Sequence, residues 1–278
     1  MANSLDFKSV LDLSTLIKSK ELSPVELLNH SISRIDALEK KLNTFASLDI
    51  DSAKQMAKAS EERALKGSLL SELDGIPTSI KDLIAQKGHP QRFGSKTTPK
   101  TNLEIDAPSV ERLRNAGAVL LGKSTTSEFG CKAVGDSPLT GITRNPWDLE
   151  KTPGGSSCGA AAQVASGMLP FAIGTDGGGS VRIPASLTGL FGIKAQFGRV
   201  PVYPVSATPT LAHVGPLCRN VTDAAMVLKV ISGHDRKDPF SVSQNVPDYI
   251  GATKEDSKLK ILVSSTLGYA NPDQEVLR

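Results

Sequence analysis

Three residues of this chain have the side chains that an acyl-transfer reaction requires. Ser156 and Ser180 each follow a pair of glycines, and Lys81 lies in an otherwise apolar stretch. A serine hydroxyl becomes a good nucleophile only when a base takes its proton. A buried lysine can be that base, because loss of solvation disfavours its charged form. Two serines and a neutral lysine are therefore the parts of a Ser–Lys acyl-transfer centre.

The glycines before the second serine predict an anion-binding turn. Gly177, Gly178 and Gly179 directly precede Ser180. Glycines let the backbone approach a substrate closely, and free N–H groups in a turn bind negative charge. We predict that Ser180 is the nucleophile and that these three amides hold the oxyanion. A flexible linker is the competing interpretation, but an apolar run leads into this stretch and Val-Arg-Ile-Pro follows it.

Taken together, three motifs resemble those of the amidase signature family of serine amide hydrolases. In chain order they are Gly75-Ile-Pro-Thr-Ser-Ile-Lys81, Gly154-Gly-Ser-Ser157 and Gly178-Gly-Ser-Val-Arg182. Ser156 follows Lys81 by 75 positions and precedes Ser180 by 24, spacings like those of the family. Each motif alone is weak, but the combination is specific.

The resemblance implies a role for each of these residues. Lys81 is the base, Ser156 is a bridging serine on a cis peptide bond, and Ser180 is the nucleophile. Ser157 is the alternative bridging residue, and Asp176 and Arg182 are expected to hold the nucleophile loop. The resemblance implies that the reaction needs neither a metal nor an organic cofactor.

Two departures from the family pattern fall near these motifs. Cys158 occupies a position where the family has glycine, and Lys194-Ala195-Gln196 replaces a Lys-Pro-Thr or Lys-Pro-Ser sequence. The first adds a side chain to the serine loop and the second removes a stiff proline. Neither removes a group that the proposed chemistry requires.

Other catalytic patterns fit less well. None of the four histidines lies in a nucleophile-elbow sequence, and Ser180 lacks the second glycine of Gly-x-Ser-x-Gly. The dinucleotide-binding pattern Gly-x-Gly-x-x-Gly fails because Arg182 stands at its third glycine position.

The order of elements predicts one α/β domain over residues 1–278. Residues 1–70 are predicted to be a helical segment that packs on a catalytic core formed by residues 71–278. In the core, apolar strands alternate with helices, which favours a mixed, largely parallel central sheet covered by helices. In such sheets ligands bind where strands end, and Ser180 lies just beyond one predicted strand.

Capping residues predict where the helices begin. Ser23-Pro-Val-Glu26 combines an N-cap, a proline at N1 and a capping-box glutamate. The other predicted caps are Asp51, Asp106 or Ser109, Ser157, and Thr222 or Asp223. An apolar strand is expected over Lys258–Ser264, with another helix beginning after Pro272.

Members of the family are considerably longer than this chain. The sequence is therefore expected to correspond to an N-terminal portion, with a sheet that is incomplete at its C-terminal end. The resemblance implies that much of the acyl-binding pocket lies in the second half of such proteins.

Bulk composition excludes several other classes. The net charge of +3 includes no dense basic run, so we expect no direct contact with nucleic acid. The N-terminus lacks a signal-peptide layout and no stretch is long and apolar enough to span a membrane, so a cytoplasmic protein is expected. Three scattered cysteines argue against a disulfide scaffold or a metal site.

These observations predict an amidase that cleaves the C–N bond of a small-molecule amide through an acyl-enzyme on Ser180. One alternative is the A subunit of a tRNA-dependent amidotransferase, which releases ammonia from glutamine for partner subunits. A truncated, non-catalytic scaffold is an alternative from another class. Self-association is left open.

Overall fold

A six-stranded mixed sheet with helices packed around it forms the fold. The structure, a computed structural model, describes residues 5–255, 258 and 260–277. The sheet strands are β1 (Phe45–Leu48), β2 (Pro77–Lys81), β3 (Val119–Ser124), β6 (Phe171–Thr175), β7 (Phe191–Gly192) and β8 (Val214–Cys218). Two short strands, β4 (Asp136–Ser137) and β5 (Gly141–Ile142), pair separately.

The sheet order is β1-β3-β2-β6-β8-β7. Strand β2 pairs in parallel with β3 on one side and with β6 on the other. Strands β1 and β8 are antiparallel to their neighbours, and β7 pairs antiparallel with β8. Four of the strands, β2, β3, β6 and β7, therefore run in one direction, and the predicted mixed, largely parallel sheet is confirmed.

Helices form both the beginning of the chain and the cover of the sheet. They are α1 (Val10–Lys18), α2 (Pro24–Leu42), α3 (Ile50–Lys66), α4 (Pro108–Asn115), α5 (Cys158–Ala165), α6 (Arg182–Thr188), α7 (Val221–Ile231), α8 (Tyr249–Ala252) and α9 (Gln274–Leu277). The first three lie in the segment predicted to be helical. That segment also supplies β1, which pairs with β3 at one edge of the central sheet.

The capping box that opens α2 is formed as predicted. The Ser23 hydroxyl accepts a backbone hydrogen bond and the Glu26 carboxylate accepts the Ser23 amide at 3.0 Å. For α3 the predicted cap is wrong: Asp49, and not Asp51, accepts the Ser52 amide at 3.1 Å. The short strand β1 ends early enough for Asp49 to reach the first turn.

Two further cap assignments are corrected by the structure. Helix α4 has Ala107 at its N-cap position, where no side chain can accept a hydrogen bond, so neither Asp106 nor Ser109 caps it. Helix α7 is capped by Asn220, whose side chain accepts the Asp223 amide at 2.8 Å, and it begins earlier than predicted. Several polar residues stand near the start of each helix, and backbone geometry selects Asn220 for α7 but none of them for α4.

The strands that carry the functional motifs are almost entirely buried. Every residue of β2 and β3 is buried, as are the first four residues of β6. Large apolar side chains such as Ile80, Leu120 and Phe171 fill the space between the sheet and its helices. Burial on both faces explains the continuous apolar runs by which the sequence indicates these strands.

The predicted strand at Lys258–Ser264 is wrong for the residues that the structure describes. Position 258 and residues 260–264 have no strand conformation, and Ile261, Leu262 and Val263 are exposed. A strand is stable only when a neighbour accepts its hydrogen bonds, and no strand pairs with these residues in the described part of the chain. The predicted helix after Pro272 appears as the single turn α9.

A membrane-crossing helix is also absent from the described residues, since none combines sufficient length with sufficient apolarity.

A buried ion pair attaches α3 to the core. Arg63 donates to the two oxygens of the Asp74 carboxylate at 2.8 and 2.7 Å. The carboxylate also accepts the Leu70 amide at 2.8 Å, and its side chain has no exposed surface. The hydrogen bond to Asp74 raises the pKa of Arg63, so the guanidinium stays charged. Asp74 thereby joins the N-terminal helical segment to the turn that leads into β2.

Replacing Arg63 with methionine is expected to destabilise the fold, because it leaves the Asp74 carboxylate buried without its cation. The free energy of unfolding should fall by about 3 kcal/mol in chemical denaturation. Lys58→Met, on an exposed position of the same helix, should change it by less than about 0.5 kcal/mol. An equal effect of the two substitutions would contradict the assigned role of the pair.

Candidate active site

The ends of two parallel strands bring the candidate residues together. Lys81 is the last residue of β2 and Thr175 the last residue of β6, its parallel neighbour. Parallel neighbours end at the same edge of a sheet, so both side chains lie at one edge. Ser157 directly precedes α5, and its amide donates to the Ser180 carbonyl at 3.2 Å. This contact joins the two serine loops above the strand ends.

The Lys81 amine is surrounded by hydroxyl groups. Its Nζ atom lies 2.6 Å from Ser156 Oγ, 3.0 Å from Ser157 Oγ and 2.9 Å from Thr175 Oγ1. A neutral amine has two N–H groups and one lone pair, so it can donate to two of these oxygens and accept a proton from the third. Ser156 is the nearest of the three oxygens.

Burial controls the basicity of Lys81. The side chain is fully buried, and loss of solvation lowers its pKa to about 7, although electrostatic interactions with Cys158 and Asp176 oppose this shift. No carboxylate forms an ion pair with its Nζ atom in the described part of the chain. A substantial fraction of Lys81 is therefore neutral at neutral pH and able to accept a proton.

Ser156 is held by an unusual backbone. The Gly155–Ser156 peptide bond is cis, as the family resemblance implies. The Ser156 side chain is buried, and a Cβ atom on Gly130 would lie 3.2 Å from its Oγ atom. The glycine at position 130 therefore leaves space for the Ser156 hydroxyl that a larger residue would take.

Ser157, the alternative bridging residue, has a different set of contacts. Ser157 occupies the N-cap position of α5 as predicted, but its side chain makes no capping hydrogen bond. Instead, Ser157 Oγ accepts from Lys81 and lies 3.3 Å from both the backbone oxygen and the backbone nitrogen of Thr175. The backbone of β6 thus competes for this hydroxyl, whereas Ser156 Oγ is bonded to Lys81 alone among the described residues.

Ser180 lies at the entrance of this cluster. It is half-buried, and its hydroxyl makes no hydrogen bond to another described residue. Helix α6 begins two residues later. The hydroxyl predicted to be the nucleophile is thus partly accessible, and Ser156 lies in the loop that the Ser157 amide joins to Ser180.

A buried carboxylate organises the loop before Ser180. Asp176 accepts the amides of Gly179 at 2.6 Å and Val181 at 3.2 Å, and pairs with Arg182 through Nε at 2.9 Å. Burial alone would raise the pKa of Asp176, but hydrogen bonds from Arg182, Val181 and Gly179 lower it to about 2. The carboxylate is therefore charged at all working pH values and holds the loop from within.

These contacts narrow the predicted oxyanion site. The Gly179 amide is occupied by Asp176, so it has no proton left for a substrate. The amides of Gly177 and Gly178 have no acceptor among the described residues. Gly179 contributes differently: its φ is 131°, and a Cβ atom there would lie 2.7 Å from Ile183.

Cys158, a departure from the family pattern, fits without displacing the loop. Its thiol is buried and lies 3.5 Å from Thr125 Oγ1, which in turn bonds Thr143. Burial raises the pKa of the thiol, although hydrogen bonds with Thr125 and Thr143 and the nearby Lys81 oppose this shift. Its neighbour Gly159 has no such space, because a Cβ atom would lie 2.2 Å from the Thr44 carbonyl oxygen.

Sequence reasoning missed one member of the cluster. Thr175 directly precedes Asp176, and its position at a strand end beside Lys81 is the signal that could have found it. A cluster of metal-ligating side chains is not found among the described residues.

Comparison with known proteins decides the family. The profile of the family described as Amidase matches residues 26–278. The chain belongs to the amidase signature family. Its predicted membership is thereby confirmed, as is the fold class that the resemblance implied.

Relatives and solved structures extend this result. The chain is 43% identical over 243 residues to the A subunit of glutamyl-tRNA(Gln) amidotransferase from Anaeromyxobacter dehalogenans (strain 2CP-C), covering 87% of this chain and 49% of that protein. A bacterial aryl acylamidase is 35% identical with a TM-score of 0.83, covering 89% of this chain and 52% of that one. Another solved structure has a TM-score of 0.84 at 31% identity, and the match covers 88% of this chain and 54% of that one. It comes from a vestigial protein complex that bears on the evolutionary origins of an s-triazine catabolic enzyme.

The chain thus spans about half the length of the curated relatives it matches.

The depressed basicity of Lys81 predicts how stability depends on pH. In the unfolded chain a lysine has a pKa near 10.4, so above about pH 7 the unfolded state binds a proton that folded Lys81 has lost. The free energy of unfolding should therefore rise with pH, by about 1 kcal/mol between pH 7 and 8.

Two substitutions distinguish the contribution of Lys81 to this pH dependence from that of Lys123, which is also buried. In Lys81→Met the rise between pH 7 and 8 should shrink to the contribution of Lys123, about 0.3 kcal/mol. Lys123, whose pKa burial lowers to about 8, adds its own rise mainly above that range. Lys123→Met is the matched control and should keep most of the slope between pH 7 and 8. A slope of undiminished size in Lys81→Met would show that Lys81 has ordinary basicity.

Proposed function

We propose that this chain carries the catalytic Ser–Ser–Lys centre of an amide hydrolase. The observation that carries the proposal is the 2.6 Å contact between Ser156 Oγ and the fully buried Lys81 Nζ, whose pKa is about 7. This is a base that is neutral at working pH and in contact with a hydroxyl that can pass it a proton. General bases work best when their pKa lies near the operating pH.

The reaction begins with proton transfer along the three side chains. Lys81 takes the proton of Ser156, and Ser156 takes that of Ser180. The Ser180 oxygen then attacks the amide carbonyl carbon, forming a C–O bond as the carbonyl electron pair moves onto oxygen. The amides of Gly177 and Gly178 are the donors that remain for this oxyanion.

Collapse of this intermediate breaks the C–N bond. The proton held by Lys81 returns through Ser156 to the departing nitrogen, which leaves as ammonia or an amine. Water then attacks the acyl-enzyme, using the same proton path, and releases the carboxylic acid. Each proton taken up by Lys81 is given back, so no step requires a cofactor. Thr175 and Ser157 hold the Lys81 amine while its charge changes.

The proposed substrate class is a small linear amide in the cytoplasm. The sequence around the nucleophile, Asp-Gly-Gly-Gly-Ser-Val-Arg-Ile-Pro, resembles general amidases more than the Thr-Gly-Gly-Ser sequence common in the A subunits of amidotransferases. The likeness to the aryl acylamidase supports the same proposal.

A second candidate has direct support from sequence similarity. Curated relatives at 40–43% identity are named as A subunits of glutamyl-tRNA(Gln) amidotransferase. On this hypothesis the same centre would release ammonia from glutamine, and the chain would work with partner subunits. Both candidates use the same three residues, so they differ in substrate and in dependence on partners.

A fluorophosphonate probe tests the shared chemistry without knowledge of the substrate. Mass spectrometry of the treated chain should locate the adduct on Ser180, and Ser180→Ala should abolish it. Lys81→Ala should slow labelling by about 10²- to 10⁴-fold, since the base is lost. The rate in the unsubstituted chain should rise with pH through about 7, as Lys81 loses its proton.

One control variant and two possible outcomes make this test decisive. Lys229→Ala, on α7 away from the site, should label at the unsubstituted rate. A folded chain, judged by a cooperative thermal melt, that takes no label would support the non-catalytic scaffold. Label that persists in Ser180→Ala would contradict the assignment of the nucleophile.

Ammonia release separates the two enzymatic candidates. The purified chain is assayed with glutamine and with a panel of small linear amides, in the presence and absence of candidate partner subunits. Turnover of simple amides by the chain alone would contradict the amidotransferase hypothesis. Glutamine hydrolysis that appears only with a partner would contradict the free-standing amidase. Ser180→Ala is the blank in each assay.

A further inference from the structure

One largely buried cation contacts the nucleophile loop without a role in the proton path. Lys194 Nζ donates to the Gly177 carbonyl oxygen at 2.7 Å and lies 3.9 Å from Asp176 Oδ1. Its side chain is 21% exposed, so most of it is packed against the protein. Lys194 thus reaches the loop that holds the remaining oxyanion donors.

Peptide geometry connects this contact to the Gly178 amide. The Gly177 carbonyl and the Gly178 N–H belong to one peptide unit, which is not among the cis peptide bonds of the described chain. In a trans peptide these two groups point in opposite directions. A hydrogen bond that fixes the carbonyl therefore fixes the direction of the N–H as well.

Little else restrains this peptide. A Cβ atom on Gly178 would meet nothing within 4 Å, and one on Gly177 would only reach Thr208 at 4.0 Å. Glycines rotate readily about their backbone bonds. On the far side of Gly178, Asp176 fixes the next peptide through the Gly179 amide. The Gly177–Gly178 peptide is thus held by Lys194 on one side and adjoins a fixed peptide on the other.

We propose that Lys194 is a positioning residue that directs the Gly178 N–H toward the oxyanion. Without it the peptide would be free to rotate and present the Gly177 carbonyl oxygen, which repels a developing negative charge. The lysine also polarises the peptide, which strengthens the N–H as a donor. The inference rests on the proposed function and adds a residue to it.

Fluorophosphonate labelling of Ser180 measures this role, because the phosphonyl oxygen takes the place of the oxyanion. Lys194→Met removes the donor while keeping an unbranched side chain of similar length. We expect the maximal labelling rate to fall by about 10²-fold, the cost of one oxyanion donor, with the half-saturating probe concentration changed less than about 3-fold. The pH at which the rate rises should stay near 7, since Lys81 is untouched.

Two variants distinguish the loss of peptide positioning from a nonspecific effect of substitution. Lys194→Arg retains a donor and should recover most of the rate. Lys151→Met, on an exposed lysine, should label like the unsubstituted chain. Unchanged labelling by Lys194→Met would overturn the proposal, as would a loss confined to probe affinity.

Crystal structures of the unsubstituted chain and of Lys194→Met test the geometry independently of activity. We expect the Gly177–Gly178 peptide to be rotated or disordered in the variant. If it keeps its orientation, the positioning role fails. If the unsubstituted chain takes no label, the proposed function fails, and the pair of crystal structures alone decides the role of Lys194.

Discussion

The site depends on one physical constraint, the enclosure of the Lys81 amine away from water. Three hydroxyl groups, and no carboxylate within ion-pairing distance among the described residues, surround its Nζ atom. A carboxylate there would keep the amine protonated, and open solvent would do the same. Hydroxyl groups solvate both the neutral and the charged form, so they permit the change of charge that proton transfer requires. The surrounding sheet and helices create this enclosure.

Charge is separated into two compartments at the strand ends. Lys81 is surrounded by hydroxyl groups. Asp176, Arg182 and Lys194 form a separate charged group under the loop that carries Ser180. Asp176 accepts the hydrogen bond of the Gly179 amide, so Gly178 is the last residue before Ser180 whose amide has no acceptor among the described residues. The same carboxylate attracts the two cations. The loop that Asp176 holds thus adjoins Lys81, whose lowered pKa lets it gain or lose a proton near neutral pH.

Much of this site could be predicted because its chemistry is encoded in short motifs. Lys81, Ser156 and Ser180 stand in contexts that few other folds use together, and apolar runs indicate the strands that carry them. The occupied Gly179 amide could not be predicted, since three successive glycines look alike until the path of the chain decides which N–H faces Asp176. The prediction of the α3 cap is wrong for a related reason. Asp49 and Asp51 have the same side chain, so only backbone geometry distinguishes them.

The long separation along the chain between Lys81 and its hydroxyl partners has a consequence during synthesis on the ribosome. Lys81 reaches its hydroxyl partners only after β6 and both serine loops have been synthesised, roughly 100 residues later. Until then it is a solvated ammonium group with the basicity of any free lysine. A nascent chain that has not yet folded therefore lacks a neutral Lys81, even after Ser156 and Ser180 have been synthesised. Folding itself gives Lys81 its lowered pKa, and local opening of β6 would restore the ordinary value by exposing the amine to water.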